Sequence, residues 1–146
     1  MPRESANITM TPDEVVDFIS TQNVCFVATL DPDGSPWVDV AASVYRDGRL
    51  FFRVAEGSRS LRNVQADPRV CCTLEAEGPN YYDNISAMVH GQASPADGAS
   101  PAGLDALPDP AVGKPLPGRA FSIDLEHVVS FDFAKIQRRF TQGVEH

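Results

Sequence analysis

Positive charge is scarce in this chain. Twelve Lys and Arg stand against 20 Asp and Glu among 146 residues, a formal net charge of −8. Such a surface repels a phosphate backbone or an anionic bilayer, so no nucleic-acid and no membrane partner is expected. Long apolar runs are missing too: nothing approaches the roughly 20 residues that a membrane helix needs. The opening stretch, Met1 to Met10, lacks the apolar core of a secretory signal. Cysteine is sparse and odd in number: Cys25, Cys71 and Cys72, with no C-x-x-C spacing. That usage predicts free thiols and a reducing, cytoplasmic setting. Neighbours in a strand point to opposite faces, so Cys71 and Cys72 do not share a metal. His90, His127 and His146 have no common ligand spacing, and no metal site is expected. No Ser-His-Asp or nucleophilic-cysteine arrangement stands out.

What is present fits one globular domain over residues 1–146: the length suits a single core, and 42% of the residues are hydrophobic. Residues 1–10 read as a tail. Thr11-Pro12-Asp13-Glu14 is a helix start, with Thr11 as cap, proline in the first turn and Glu14 closing a capping box. Val15, Val16, Phe18 and Ile19 give that helix, about Pro12 to Thr21, an apolar face. Val24 to Leu30 is a buried strand. Asp31 to Ser35 is a turn with an Asp33-Gly34 hairpin signal. Trp37 to Tyr45 returns as a second strand. Arg46-Asp47-Gly48-Arg49 turns again into a third, Arg49 to Ala55. A helix follows and ends at Asp67-Pro68, because the residue before proline is pushed out of the helical region. Arg69 to Ala76 and Ile85 to Ala93 are two more strands. Residues 94–118 hold six prolines and four glycines. That composition sustains no long regular element, though a short helical turn near Ala102 to Leu107 is compatible with it. Such long loops are often functional or mobile. Arg119 to Val128 and Val129 to Lys135 alternate apolar and polar, giving one long or two short closing strands. An antiparallel sheet of this length tends to close into a barrel, which removes its edges. The fold class is therefore mainly β, an antiparallel barrel with peripheral helices.

One stretch breaks the acidic pattern. Ser58, Arg59, Ser60, Arg62 and Asn63 crowd the first turns of the second helix. A helix N-terminus offers unpaired N–H groups and partial positive charge, which suits a phosphate. Ser58 caps the helix or bonds the anion. Arg59 forks onto two anion oxygens, with Arg53 as a second cation from the third strand. The alternative is that Arg59 and Arg62 are solvated and pair with Glu56 or Asp67, a bond worth about 0–1 kcal/mol at a surface.

The order of elements, "AT-DPDG-P" on the first hairpin, "LFFR" on the third strand, "GSR---N---DPRV" across the helix and "V-G-A" later resemble the pyridoxamine 5′-phosphate oxidase-like family. The resemblance covers about residues 24–93 and the closing "SFDFAK". It implies an FMN-binding split β-barrel, usually a homodimer with the cofactor in the cleft between subunits. Relatives take the deazaflavin F420 instead of FMN, and some take haem. The resemblance places the cofactor phosphate on Ser58, Arg59, Ser60, Arg62 and Arg53. It lays the flavin ring along Val40, Ala41 and Ala42, with Phe52 or Phe51 at its border. Two departures argue against the oxidase's own activity: Ser60 stands where many relatives carry lysine, and Asp39 near a position where the oxidase has arginine. The implied function is an FMN- or F420-dependent oxidoreductase on a small organic substrate. The alternative is a non-catalytic module holding haem or another small ligand, with His90 and His127 as first axial candidates. Tyr81 and Tyr82 either line a substrate pocket or cover the barrel end. The tail with Arg138 and Arg139 is a further candidate for shaping the pocket.

Overall fold

The computed structural model describes residues 7–96, 98, 100, 101 and 103–136. Among the described residues, two α-helices, a short 3-10 turn and eight strands follow one another. Helix α1 is Pro12–Ser20; Thr11 Oγ1 accepts from Glu14 N while Glu14 accepts from Thr11 N, the reciprocal box read from the sequence. Val15, Phe18 and Ile19 bury its inner face, and Val16 stays half-exposed.

The strands are β1 Val24–Leu30, β2 Pro36–Arg46, β3 Arg49–Ala55, β4 Arg69–Ala76, β5 Ile85–Gln92, β6 Ser94–Pro95, β7 Gly118–Asp124 and β8 Val128–Asp132. They form one antiparallel sheet in the order β6-β7-β3-β2-β1-β4-β5-β8. The closing region is thus two strands rather than one. The sheet curls into a half-barrel, bringing β5 and β7 into contact although β3, β2, β1 and β4 lie between them in the strand order.

Turn chemistry sets the registers. Arg46 pairs with Arg49, so the β2–β3 loop has two residues. Asp47 and Gly48 both take positive φ, 50° and 81°, as a tight right-twisting hairpin demands. The β1–β2 hairpin pairs Leu30 with Pro36. Its longer loop is held by Asp31 N to Ser35 O, Gly34 N to Asp31 O and Ser35 N to Asp33 Oδ1.

The main core joins α1 to the inner face of the half-barrel through Ile19, Leu50, Phe52, Leu74 and Ile123. Burying each such side chain contributes about 1.5–3 kcal/mol. Cys25 and Cys72 sit fully inside this core as free thiols, and Cys71 is half-buried. The side-chain hydrogen bond with Cys25, and then burial, push the Cys72 thiol well above its ordinary value, which keeps it an inert, uncharged core residue.

Two regions read as loose are docked. Met10 is buried, its N–H donates to Ser130 Oγ, and Ile8 O accepts from Asp132 N. The end of the N-terminal tail therefore packs against β8. In the proline-rich segment, β6 pairs with β7 and Leu104 is completely buried beside Ala42, Ala96 and Ala120. Three i to i+3 backbone bonds make the turn around Leu104, from Pro101 to Leu107. The start of the turn expected there, Ala102, lies outside the described residues.

Candidate functional site

Helix α2, Arg59–Ala66, follows β3 and packs on β1, β2 and β3. Ser58 is its N-cap: the hydroxyl accepts from Leu61 N at 3.1 Å. Beside it lies a cavity of about 220 Å³, walled by Val27, Val40, Ala41, Val54, Val112 and Leu116, with Arg53, Ser58, Ser60, Asp39 and Asp109 as its polar lining.

Five residues singled out in the sequence thus meet at one cavity: Val40, Ala41, Arg53, Ser58 and Ser60. Five do not line it. Ala42 packs in the small cluster with Leu104 and Ala120. Phe52 is fully buried in the main core, its ring 6.1 Å from that of Phe121. Its neighbour Phe51 packs on the Leu104 cluster. Arg59 and Arg62 point away from the cavity toward the open cleft bordered by Leu30, Asp31, Asn63 and Asp67. Asp109 and Leu116 were not legible as lining residues, because only the folding of the proline-rich loop carries them there.

The polar groups are engaged one by one. Arg59 Nε and Nη2 close on the two oxygens of Asp31 at 2.9 and 2.5 Å, and the guanidinium carbon sits 4.1 Å above the Trp37 ring. Asn63 Nδ2 adds a donor to Asp31 at 2.9 Å. These bonds, that from Arg59 foremost, hold the Asp31 carboxyl below its usual range. Ser60 Oγ donates to Asp39 Oδ2, which also accepts from Trp37 Nε1 at 3.0 Å. Arg62 Nη1 bonds Gly57 O. Arg53, only 6% exposed, sends Nη1 to Leu104 O at 2.6 Å and Nη2 to Leu107 O at 2.5 Å. The ion pairs expected for α2 are thereby redistributed: Glu56 takes Arg119, Asp67 takes Arg69, and Arg59 takes Asp31.

A second feature adjoins the cavity. The register places Val40, Phe26, Thr73, Met88 and Val129 in one row across β2, β1, β4, β5 and β8. Val24, Phe26, Val38 and Val129 are 42–56% exposed. Val40 belongs both to this row and to the cavity wall.

The sequence profile of pyridoxamine 5′-phosphate oxidase matches residues 11–128. The chain belongs to the pyridoxamine 5′-phosphate oxidase family. Solved structures carry the same fold at low identity. A conserved hypothetical protein from Mycobacterium tuberculosis is 20% identical, with 93% of each chain covered and a TM-score of 0.69. An FAD-binding protein from Mycobacterium smegmatis is 17% identical over 86% of this chain and 97% of that one, TM-score 0.63. A heme storage protein from Vibrio cholerae is 16% identical over 82% and 94%, TM-score 0.58. No curated protein matches in sequence.

The residues fit a flavin in one part and not in another. The walls from Val40, Ala41, Val54 and Leu116 suit a flat apolar ring. The volume, about 220 Å³, falls below the roughly 300 Å³ at the lower end of small-molecule pockets. The mouth of α2, as arranged, does not fit a phosphate: Arg59, Ser58, Ser60 and Arg62 each have an internal partner, and Asp39 and Asp109 add negative charge to the cavity lining.

The remaining sequence candidates lie elsewhere. Tyr81 is 63% exposed and stacks on Phe133 at 5.0 Å, with Tyr82 edge-on at 5.4 Å. They cover the β5–β8 end of the sheet. His90 and His127 stack on each other at 5.5 Å and do not line the cavity. Arg138 and Arg139 lie outside the described residues. No helix among the described residues is long and apolar enough to cross a membrane.

Proposed function

We propose that this protein is a cytoplasmic, homodimeric oxidoreductase that uses a flavin, FMN or the deazaflavin F420, to act on a small organic molecule. The observation that carries the reading is the cavity where Val40, Ala41, Arg53, Ser58 and Ser60 meet, in a chain of this family. The reading rests on the ring wall rather than on the phosphate cluster. A bound flavin supplies the hydride chemistry. The chain's own part is to hold a ring against the Val40–Ala41 backbone and to keep water off it with Val54, Val112 and Leu116.

The apolar row through Phe26 and Val129 supports a second copy as the partner. Since Val40 lies in both the row and the cavity wall, that copy would border the cavity. Free thiols support a reducing compartment.

A second reading is a binding module without turnover, for haem or another small ligand. The engaged Arg59 and the carboxylates of Asp39 and Asp109 favour it, since they oppose a phosphorylated cofactor. Spectrophotometry of NADPH or reduced F420, with protein and FMN present, separates the two. Protein-dependent steady oxidation is expected for the oxidoreductase. Its absence with every reductant, alongside a ligand-sensitive Soret band on adding haemin, would establish the module.

A further inference from the structure

The loop between β1 and β2 delivers a carboxylate to the Arg59 and Asn63 donors of α2. Asp31 is fixed at both backbone ends of that loop, through Ser35 O and Gly34 N. Its side chain is 9% exposed. Three N–H donors from α2 converge on it: Nε and Nη2 of Arg59 and Nδ2 of Asn63. The same fork and amide are the groups that would grip an anion's oxygens. The Arg59 guanidinium carbon also lies over the Trp37 ring at 4.1 Å, a cation–π contact that favours this pose. Asp39 draws the Ser60 hydroxyl inward in the same manner.

We infer that Asp31 is a specificity-determining residue, a built-in counter-anion that keeps Arg59 and Asn63 from an incoming phosphate. Two anions cannot share this fork. A phosphate arriving at α2 must displace Asp31, or sit beside it against like-charge repulsion. The chain therefore discriminates weakly between a phosphorylated ligand and its dephosphorylated counterpart. Neutralising Asp31 leaves the donors in place and removes the competitor.

The test has two arms. Inorganic phosphate is titrated calorimetrically into the full chain and into Asp31→Asn. Phosphate is expected to bind the variant about tenfold more tightly, the scale of removing one adjacent like charge. In Asp31→Asn with Arg59→Ala that gain is expected to vanish. Phosphate binding no tighter in Asp31→Asn, or a gain that survives without Arg59, overturns the inference. Thermal melts check the fold, and Asp31→Ser serves as a second charge-free variant if the first unfolds. The other arm compares FMN with riboflavin and rests on the proposed function. The preference for FMN over riboflavin is expected to rise in Asp31→Asn; an unchanged ratio counts against Asp31. If neither flavin binds any variant, the proposed cofactor is wrong, while the phosphate titration still decides the role of Asp31.

Discussion

The guanidinium of Arg53, on β3, donates to the backbone oxygen of Leu104 at 2.6 Å across 51 residues of sequence. A second donation, to Leu107 O, makes this buried cation the anchor of the proline-rich segment. That segment in turn carries Asp109, Val112 and Leu116 to the cavity. Arg53→Met removes both charge-assisted bonds, leaving Leu104 O with only its backbone donor Leu107 N and taking the guanidinium donor from Leu107 O. It is expected to cost about 2–4 kcal/mol in urea unfolding and to expose residues 103–117 to limited proteolysis. An unchanged midpoint and cleavage pattern would contradict the anchoring role.

Gly118 opens β7 where the backbone of β3 leaves no room. A Cβ there would lie 2.6 Å from Val54 O and 2.9 Å from Arg53 Cγ. Gly118→Ala is expected to destabilise the fold by about 1–3 kcal/mol, read from the same urea titration. Val54 also lines the cavity, so ligand affinity is expected to fall with it.

The Phe26–Val129 row predicts a pairing surface whose loss is readable by size. Phe26→Asp puts a charge at its centre, between Val40 and Thr73. Size-exclusion chromatography with light scattering is expected to give a dimer for the native chain and a monomer for the variant. A native chain that is monomeric at all concentrations would refute the pairing.

One ion pair sets an acid limit. Lys135, together with the Thr11 backbone, lowers the Glu14 carboxyl from 4.5 to about 2. A lowered folded-state value stabilises above the unfolded value, and the contribution fades as pH falls from 4.5 toward about 2. Glu14→Gln is expected to lower Tm at neutral pH and to flatten its fall through that acid window. Parallel curves for the two proteins would show that the pair does not couple to folding.

Local features were legible because local chemistry decides them. The Thr11–Glu14 box and the Asp47–Gly48 hairpin follow from a few adjacent residues. The strands of the meander and the split-barrel class followed from alternation, short turns and the family resemblance. Side-chain partners were not legible. Arg59 finds Asp31 across 28 residues because the β1–β2 hairpin and α2 meet only in the folded chain. Sequence proximity suggested Glu56 or Asp67 instead. The choice between Phe51 and Phe52 turned on which side of β3 faces the core, and alternation alone leaves that parity open. Leu104 reads as one apolar residue in a proline-rich tract. Its burial depends on the small side chains Ala42, Ala96 and Ala120, which come from three separate parts of the chain.

The most direct measurement is the visible absorption spectrum of the purified protein after separate additions of FMN, F420 and haemin, each followed by desalting. It is paired with Ala41→Phe, which fills the cavity wall. A flavin or deazaflavin spectrum retained by the native chain and lost in Ala41→Phe is the expected result. A retained haem spectrum alone, no retained chromophore, or flavin retained equally by Ala41→Phe would contradict a flavin seated against Val40 and Ala41.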